Sequence, residues 1–263
     1  MTTSIIKENK TENRPLSTLL WGGAALLFWL GVWTAAALLV NQELLVPTPW
    51  RVAAVLFEKG GTLPFWRAAG ATLLRIAAGF LAGAAGGCLL AVLTARWRVA
   101  ERLLAPFLRV VRATPVASFI ILAFVWLHTD VLPGFIAFLM VMPVVWGNVD
   151  KGLRETDPAL LEMAKVFRFG RKRTWLHVRL PAVMPYFLSG CTTALGLSWK
   201  SGVAAEVICR PLHSIGGLLQ TAKNHLETPE VFAYTIAVIL LSVLLEQVFV
   251  RLIRRLGRRY NAR

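Results

Sequence analysis

The chain is poor in charged residues. Asp, Glu, Lys and Arg make up 16% of its 263 residues, whereas soluble globular domains average roughly 25%. Acidic residues are the scarcest, at 14 against 29 Lys and Arg. Hydrophobic residues fill 56% of the chain and collect in long uncharged runs. Six such runs exceed what a soluble core of this size contains, which excludes an ordinary soluble domain.

The sequence lacks the motifs that metal, redox or nucleotide sites use. Cys88, Cys191 and Cys209 form no C-x-x-C pair, the pattern that metal and redox sites use. The four histidines are scattered along the chain, and no G-x-x-x-x-G-K-[ST] phosphate loop is present. We therefore expect no metal site, no cofactor bound by this chain and no ATP hydrolysis by the chain itself.

The long apolar runs predict an all-α membrane protein with six transmembrane helices. A spanning helix needs about 20 mostly apolar residues. Runs of that kind occur at about 19–40, 68–95, 106–127, 133–149, 182–208 and 230–251. Pro115 lies inside the third run and cannot donate a helical hydrogen bond, so it predicts a kink or a broken turn there.

The basic residues predict the orientation. With six spans both termini lie on the same side, and placing them in the cytoplasm puts 22 of the 29 Lys and Arg residues in cytoplasmic segments. The positive-inside rule favours that arrangement. The same sorting accounts for the net charge of +15, so the charge does not call for a nucleic-acid partner. Membrane lipid is the expected surrounding.

Three glycines in the second run, Gly79, Gly83 and Gly87, lie four residues apart on one helix face. In membrane helices such spacing allows a second helix to approach closely, so we expect tight packing along this face.

The longest charged passage in the interior of the chain is Asp157–Pro181. Asp157 can cap a helix and Pro158 suits its first position. Leu160, Leu161, Ala164 and Phe167 then follow at helical spacing. The pattern predicts a short amphipathic helix outside the membrane, whose apolar face packs against the lipid surface, the protein's own helices or a partner.

This passage resembles the signature loop of the membrane subunits of binding-protein-dependent ABC importers of the type I fold. Residues 162–164 (Glu-Met-Ala) stand where the family has E-A-A, Val178 stands on the family's Ile, and 180–181 supply the closing Leu-Pro. Three further segments look like the nitrate, sulfonate and taurine branch of these permeases: "ATLLRIAAGFLAGAAGG" (71–87), "RATPVASFIILAFVWL" (112–127) and "GLSWKSGVAAEVI" (196–208).

Two positions depart from the family pattern. Met163 replaces the first Ala, and Arg168 stands where the family has Gly, with Gly170 two residues later. The missing glycine puts the usual turn in doubt and favours a helix that continues to about Phe169.

The resemblance implies a type I ABC importer permease fold in a prokaryotic plasma membrane, with a cytoplasmic coupling helix. Its implied partners are two ATP-binding subunits, which use ATP and Mg²⁺, a second copy of the permease forming a homodimer, and an extracytoplasmic solute-binding protein. The implied regions are an N-terminal tail with the first helix and an external segment (1–63), the transmembrane domain (64–250) with its coupling loop (151–181), and a basic tail (251–263). The residues implied in ATPase coupling are Asp157, Leu160, Leu161, Glu162, Met163, Ala164, Phe167, Arg168, Gly170, Leu180 and Pro181.

Two charged residues lie inside the fifth run, Lys200 and Glu206. They are six positions apart, about 240° net around a helix, so they do not share a face. One hypothesis places Lys200 on the translocation pathway as a positive charge for an anion and Glu206 against a neighbouring helix or an external gate. The alternative is that both reach the interface, or pair with Arg75 or Glu246. Arg75 itself is expected to extend outward to water.

Two other classes of function stay open from the residues alone. An ion-coupled secondary transporter or channel usually shows inverted repeats or several intramembrane acids, and neither is evident. A membrane-embedded enzyme would need a cluster of His, Asp and Glu at the membrane face, and none is present. Within the importer interpretation the substrate is a small anion such as nitrate, sulfonate or taurine, although related permeases also carry heterocyclic vitamin precursors.

Overall fold

The structure, a computed structural model, describes residues 15–261, with side chains described for residues 21–251, and the regular elements in this part of the chain are all helices. Its elements are α1 (Pro15–Val40), α2 (Pro49–Gly60), α3 (Leu63–Arg96), α4 (Arg98–Ala113), α5 (Val116–Phe124), α6 (Leu132–Arg154), α7 (Pro158–Val166), α8 (Arg171–Thr174), a π-helical turn (Trp175–Arg179), α9 (Leu180–Cys209), α10 (Ile215–Asn224) and α11 (Thr228–Asn261). The polar segment 1–14 and the last two residues of the predicted basic tail lie outside the described residues.

Five elements are long and apolar enough to cross a membrane. They are α1, α3, α6, α11, and α9 together with the short helical segment before it. The all-helical fold and five of the predicted spans are therefore present in the structure.

The third predicted span, 106–127, is broken rather than kinked. α4 and α5 meet at Thr114 and Pro115 with a bend of 102°. Pro115 has no N–H to donate, and its ring disfavours the helical conformation at the residue before it. Thr114 is accordingly extended, with φ −78° and ψ 132°. α5 has nine residues, about 14 Å, which is roughly half of a bilayer core.

The centre of the bundle is the contact between α3 and α6, and the predicted glycine face lies in it. A Cβ added at Gly83 would lie 2.8 Å from both Phe138 O and Val141 Cβ, and one at Gly87 would lie 2.6 Å from Met142 O. Gly79 faces the backbone of Gly134 in the same way. Because the nearest atoms are largely backbone, the two helices approach at a distance that only glycine permits.

α9 covers the other side of α6. Gly190 of α9 lies against the Asn148 side chain, and Gly152 of α6 lies against the ring of Tyr186. Val141, Val145 and Val149 of α6 form the largest buried apolar cluster together with residues of α3 and α9: Phe80, Ala84, Ala91, Val183, Cys191, Ala194 and Leu195.

α1 is a peripheral helix whose apolar side chains are mostly exposed. Trp33 attaches it to the rest of the protein, because its Nε1 donates to Pro47 O at 3.1 Å and its ring stacks on Phe232 with centroids 5.7 Å apart. The outward faces of α3 and α11 are similarly apolar, as a lipid surface requires.

Candidate functional site

The helix that the charged passage predicts is α7. Asp157 caps its start, where the side-chain oxygen accepts a hydrogen bond from Ala159 N at 2.8 Å, and Pro158 occupies the first helical position. Ala164 is 1% exposed and faces inward, where α7 contacts the π-helical turn.

The end of α7 differs from the sequence expectation. The helix stops at Val166 and Phe167 caps it, so the prediction of a helix reaching Phe169 is wrong. Arg168 adopts a left-handed conformation with φ +52°. Its N–H donates to Lys165 O at 3.0 Å, and Phe169 N–H donates to Ala164 O at 2.8 Å. These two bonds are the Schellman pattern that usually uses glycine.

The turn therefore occurs at the position where the family has glycine, although the residue is arginine. Gly170, two residues later, has an ordinary φ of −63°. A left-handed conformation costs a non-glycine residue roughly 1–2 kcal/mol, so the surrounding hydrogen bonds hold Arg168 in a disfavoured state.

α7 leaves an apolar surface uncovered. Leu160, Met163 and Phe167 are 42%, 43% and 68% exposed and lie three or four residues apart, which places them on one face. Glu162 is also exposed, and Leu161 is half-buried. A helix that exposes such an apolar stripe has the form of one that docks into a groove.

The second half of the loop runs into α9 without a break. Leu180 N–H donates to Trp175 O across the π-helical turn, and Pro181 lies in the first turn of α9. Val178, on the family's Ile position, is 5% exposed. Helix is therefore continuous from Arg171 to the end of α9, and α7 contacts the π-helical turn within it.

The first half of the loop is anchored to neighbouring helices. Arg154 Nη2 lies 2.7 Å from Glu101 on α4, and its Nε lies 2.8 Å from Asp150. The Tyr186 hydroxyl on α9 donates to Glu155. These contacts connect α4, α6 and α9 beside α7.

A second polar centre surrounds Glu206, at the end of α9 that adjoins α10. Glu206 is fully buried. Its Oε2 accepts hydrogen bonds from Thr72 Oγ1 at 2.9 Å and from Gly216 N at 3.2 Å, and its Oε1 lies 3.6 Å from Arg75 Nη1. Thr72 Oγ1 in turn accepts from Ile215 N at 3.1 Å. The carboxylate thereby joins α3, α9 and the start of α10.

The sequence predicted that Arg75 extends outward to water, and the structure shows that it does not. Its guanidinium lies 2.9 Å from Asp130 Oδ1 and donates to Leu212 O at 2.7 Å and to His213 O at 3.1 Å. It therefore ties the α5–α6 connection to the α9–α10 connection. The alternative that the sequence left open, a pairing of Glu206 with Arg75, is the arrangement found.

Lys200 lies on a different face of α9 from Glu206, as their spacing requires. Its side chain is exposed, and within residues 21–251 no carboxylate lies within ion-pair distance of it. The exposed residues nearest to it along α9 are Thr193 and Ala204.

Sequence reasoning missed Arg112, which it counted only as a cytoplasmic charge. The Arg112 guanidinium donates to Pro143 O on α6 and lies 5.9 Å from the centre of the Trp146 ring. A signal in the sequence could have identified it. Arg112 lies two residues before Thr114, next to the predicted break at Pro115, so the chain places a basic residue in the apolar part of the bundle.

Comparison with known proteins identifies the fold and the function. Residues 83–261 match the family described as binding-protein-dependent transport system inner membrane component. The chain belongs to this family. It is the membrane-spanning permease subunit of an ABC importer.

Individual relatives agree with the family assignment. The permease is 31% identical over 186 residues to a Bacillus subtilis permease named for aliphatic sulfonates transport, covering 70% of this chain and 66% of the relative. It is 28% identical over 246 residues to the nitrate import permease of Leptolyngbya laminosa, covering 90% and 85%. The solved structure of an amino acid ABC transporter with histidines shares the fold, with a TM-score of 0.56 at 14% identity over 70% of this chain and 90% of that one.

Proposed function

We propose that the permease carries a small oxyanion, with nitrate or an aliphatic sulfonate as the leading candidates. Relatives named for sulfonates, nitrate and bicarbonate support this class of substrate. The exposed and unpaired Lys200 fits it as well, since an intramembrane cation normally faces a water-filled cavity or a partner.

The observation that carries the mechanism is the form of α7. It is capped at its start, ends in a tight turn, exposes Leu160, Met163 and Phe167, and contacts the π-helical turn that leads into α9. A separate ATPase subunit docks on this apolar face, and ATP with Mg²⁺ binds to that subunit. Glu162 and Arg168 flank the docking face, where they can contact polar groups at the rim.

The proposed motion begins when two ATPase subunits close on ATP. Each pushes one α7, and the continuous helix from Trp175 to α9 passes the displacement into the bundle as a rigid-body change. A pathway between two copies of the permease then opens towards the solute-binding protein, and it opens towards the cytoplasm when the ATPases separate. The permease positions the substrate and performs no covalent chemistry on it.

The proposed topology has six spans, with the broken α4–α5 pair as the third. Both termini and α7 lie in the cytoplasm, in agreement with the distribution of Lys and Arg. The Glu206 centre and α10 then lie at the outer end, where the binding protein delivers its solute.

Reconstitution tests the proposal. The permease is incorporated into proteoliposomes with its partner ATPase and binding protein, and uptake of isotopically labelled nitrate and of taurine is measured with and without ATP. We expect uptake of one of the two anions that needs ATP, the ATPase and the binding protein together. Uptake that proceeds without the ATPase would show an ion-coupled carrier instead. The ligand that co-purifies with the binding protein then names the substrate.

A further inference from the structure

We infer that Arg112 is an oxyanion-binding residue halfway along the translocation pathway, with Lys200 as a separate positive charge elsewhere on it. This inference rests on the proposed anion substrate and adds the residue that holds the anion inside the membrane.

The depth of Arg112 is the first observation. Its guanidinium contacts Pro143 O, and Pro143 is the central residue of the 23-residue α6. That helix is about 34 Å long and is apolar enough to cross a membrane. Its centre therefore lies near the middle of a hydrocarbon core of about 30 Å.

The second observation is that the Arg112 guanidinium lacks a counter-charge among the described residues. Within residues 21–251 no carboxylate lies within ion-pair distance of Arg112. The acid nearest to Pro143 and Trp146 along α6 is Asp150, and Arg154 occupies it at 2.8 Å. A guanidinium has five N–H donors, and the only acceptor it contacts among the described residues is Pro143 O.

The surroundings hold the guanidinium in place without neutralising it. Trp146 lies beneath it, and the Trp146 ring is itself fixed because its Nε1 donates to Thr94 Oγ1 at 3.0 Å. Gly147 leaves space for the guanidinium, since a Cβ at that position would collide with it. The site is thus shaped by α3, α4 and α6 around one side of a cation.

The other side of the Arg112 guanidinium is open. Arg112 as a residue is exposed in the single chain, and a charged side chain facing hydrocarbon at mid-depth costs roughly 2.5–3.5 kcal/mol or more. It must therefore face water or protein, and in a permease that works as a pair the space between the two copies offers both. A planar guanidinium fork binds oxyanions through paired N–H···O bonds, so an anion such as nitrate or a sulfonate is the ligand that fits.

The test compares Arg112→Gln, Arg112→Lys and a matched control, Arg109→Gln, in the complete transporter. Arg109 lies one turn earlier on α4, is exposed, and bonds only within its own helix, to Ala105 O. We expect Arg112→Gln to raise the apparent KM for anion uptake roughly ten- to hundredfold, the range for losing one charge-assisted hydrogen bond. Arg112→Lys, which keeps the charge, should lose less, and Arg109→Gln should match the wild type.

A second measurement separates a binding role from a structural one. Thermal unfolding of the purified permease–ATPase complex is followed with increasing potassium nitrate or potassium ethanesulfonate, against potassium gluconate at equal ionic strength. Binding at Arg112 predicts a saturable rise in the unfolding temperature that Arg112→Gln abolishes and Arg109→Gln retains. Equal anion stabilisation in wild type and Arg112→Gln, or an unchanged KM, would overturn the inference.

The two proposals fail in different ways. If the wild type shows no ATP-dependent anion uptake but its anion stabilisation depends on Arg112, the transported substrate is wrong and the site stands. If the wild type takes up anions and Arg112→Gln does so with the same KM, the substrate stands and the site is wrong. A loss of unfolding temperature in Arg112→Gln without any anion dependence would show that Arg112 is only a brace between α4 and α6.

Discussion

The contact between α3 and α6 gives the most quantitative prediction. In Gly83→Ala the new Cβ would lie 2.8 Å from Phe138 O and from Val141 Cβ, closer than van der Waals contact allows. One of these atoms belongs to backbone, so the two helices must separate by several tenths of an ångström. Overpacking of this kind costs about 1–3 kcal/mol.

Gly70→Ala on the same helix is the matched control. A Cβ there meets nothing within 4 Å, so the substitution changes only helix propensity, which favours alanine by about 0.8–1.0 kcal/mol. Gly83→Ala gains the same propensity term. The difference between the two variants therefore isolates the packing term, and we expect Gly83→Ala to be about 1–3 kcal/mol less stable than Gly70→Ala.

The assay is reversible unfolding of the purified permease–ATPase complex in mixed micelles with increasing sodium dodecyl sulfate, followed by circular dichroism. The expected order of stability is Gly70→Ala at or above wild type, with Gly83→Ala below both. Equal stability of the two variants would refute the close approach of α3 and α6.

Three further substitutions test other parts of the structure. Glu206→Ala removes the acceptor shared by Thr72, Gly216 and Arg75, and because that centre is fully buried we expect a loss of about 3 kcal/mol or more in unfolding free energy; an unfolding temperature equal to wild type would contradict the joint it forms. Arg168→Gly should stabilise the end of α7 by roughly 1 kcal/mol, since glycine accepts the left-handed φ without cost, while Gly170→Ala should be neutral; slower hydrogen exchange at Phe169 N–H in Arg168→Gly alone is the measurement. Lys200→Ala should reduce anion uptake with assembly intact, whereas Lys223→Ala on α10 should not, and unchanged affinity and rate in Lys200→Ala would remove Lys200 from the pathway.

The sequence predicted those features of the fold that depend only on residues close together in the chain. The Asp157 cap and the proline at the first position specify the start of α7, because both act within one helical turn. The long apolar runs predicted the spanning helices for the same reason. Pro115 marked the place where the third span breaks, because it has no N–H to donate and disfavours the helical conformation at Thr114.

Features that depend on distant parts of the chain could not be predicted in this way. Thr72 and Glu206 are 134 positions apart, and only packing of α3 on α9 brings them together. Arg75 looked like a residue that extends to water because its partner, Asp130, lies 55 positions away. Arg168 violates the local preference for glycine, so the turn became visible only from its two hydrogen bonds. Arg112 looked cytoplasmic by sequence position, and the bend between α4 and α5 places it at the centre of α6.

In the proposed mechanism an outside ATPase drives transport through the exposed face of α7. The most direct test is Met163→Asp, which places a charge on that face without touching the buried Ala164, compared with Lys165→Glu on the opposite face of the same helix. The permease is purified by its own tag, the co-purified ATPase is quantified, and ATP-driven uptake is measured in proteoliposomes. We expect Met163→Asp to lose both the ATPase and uptake at unchanged permease folding, and Lys165→Glu to keep both. Full ATPase attachment and uptake in Met163→Asp would contradict it.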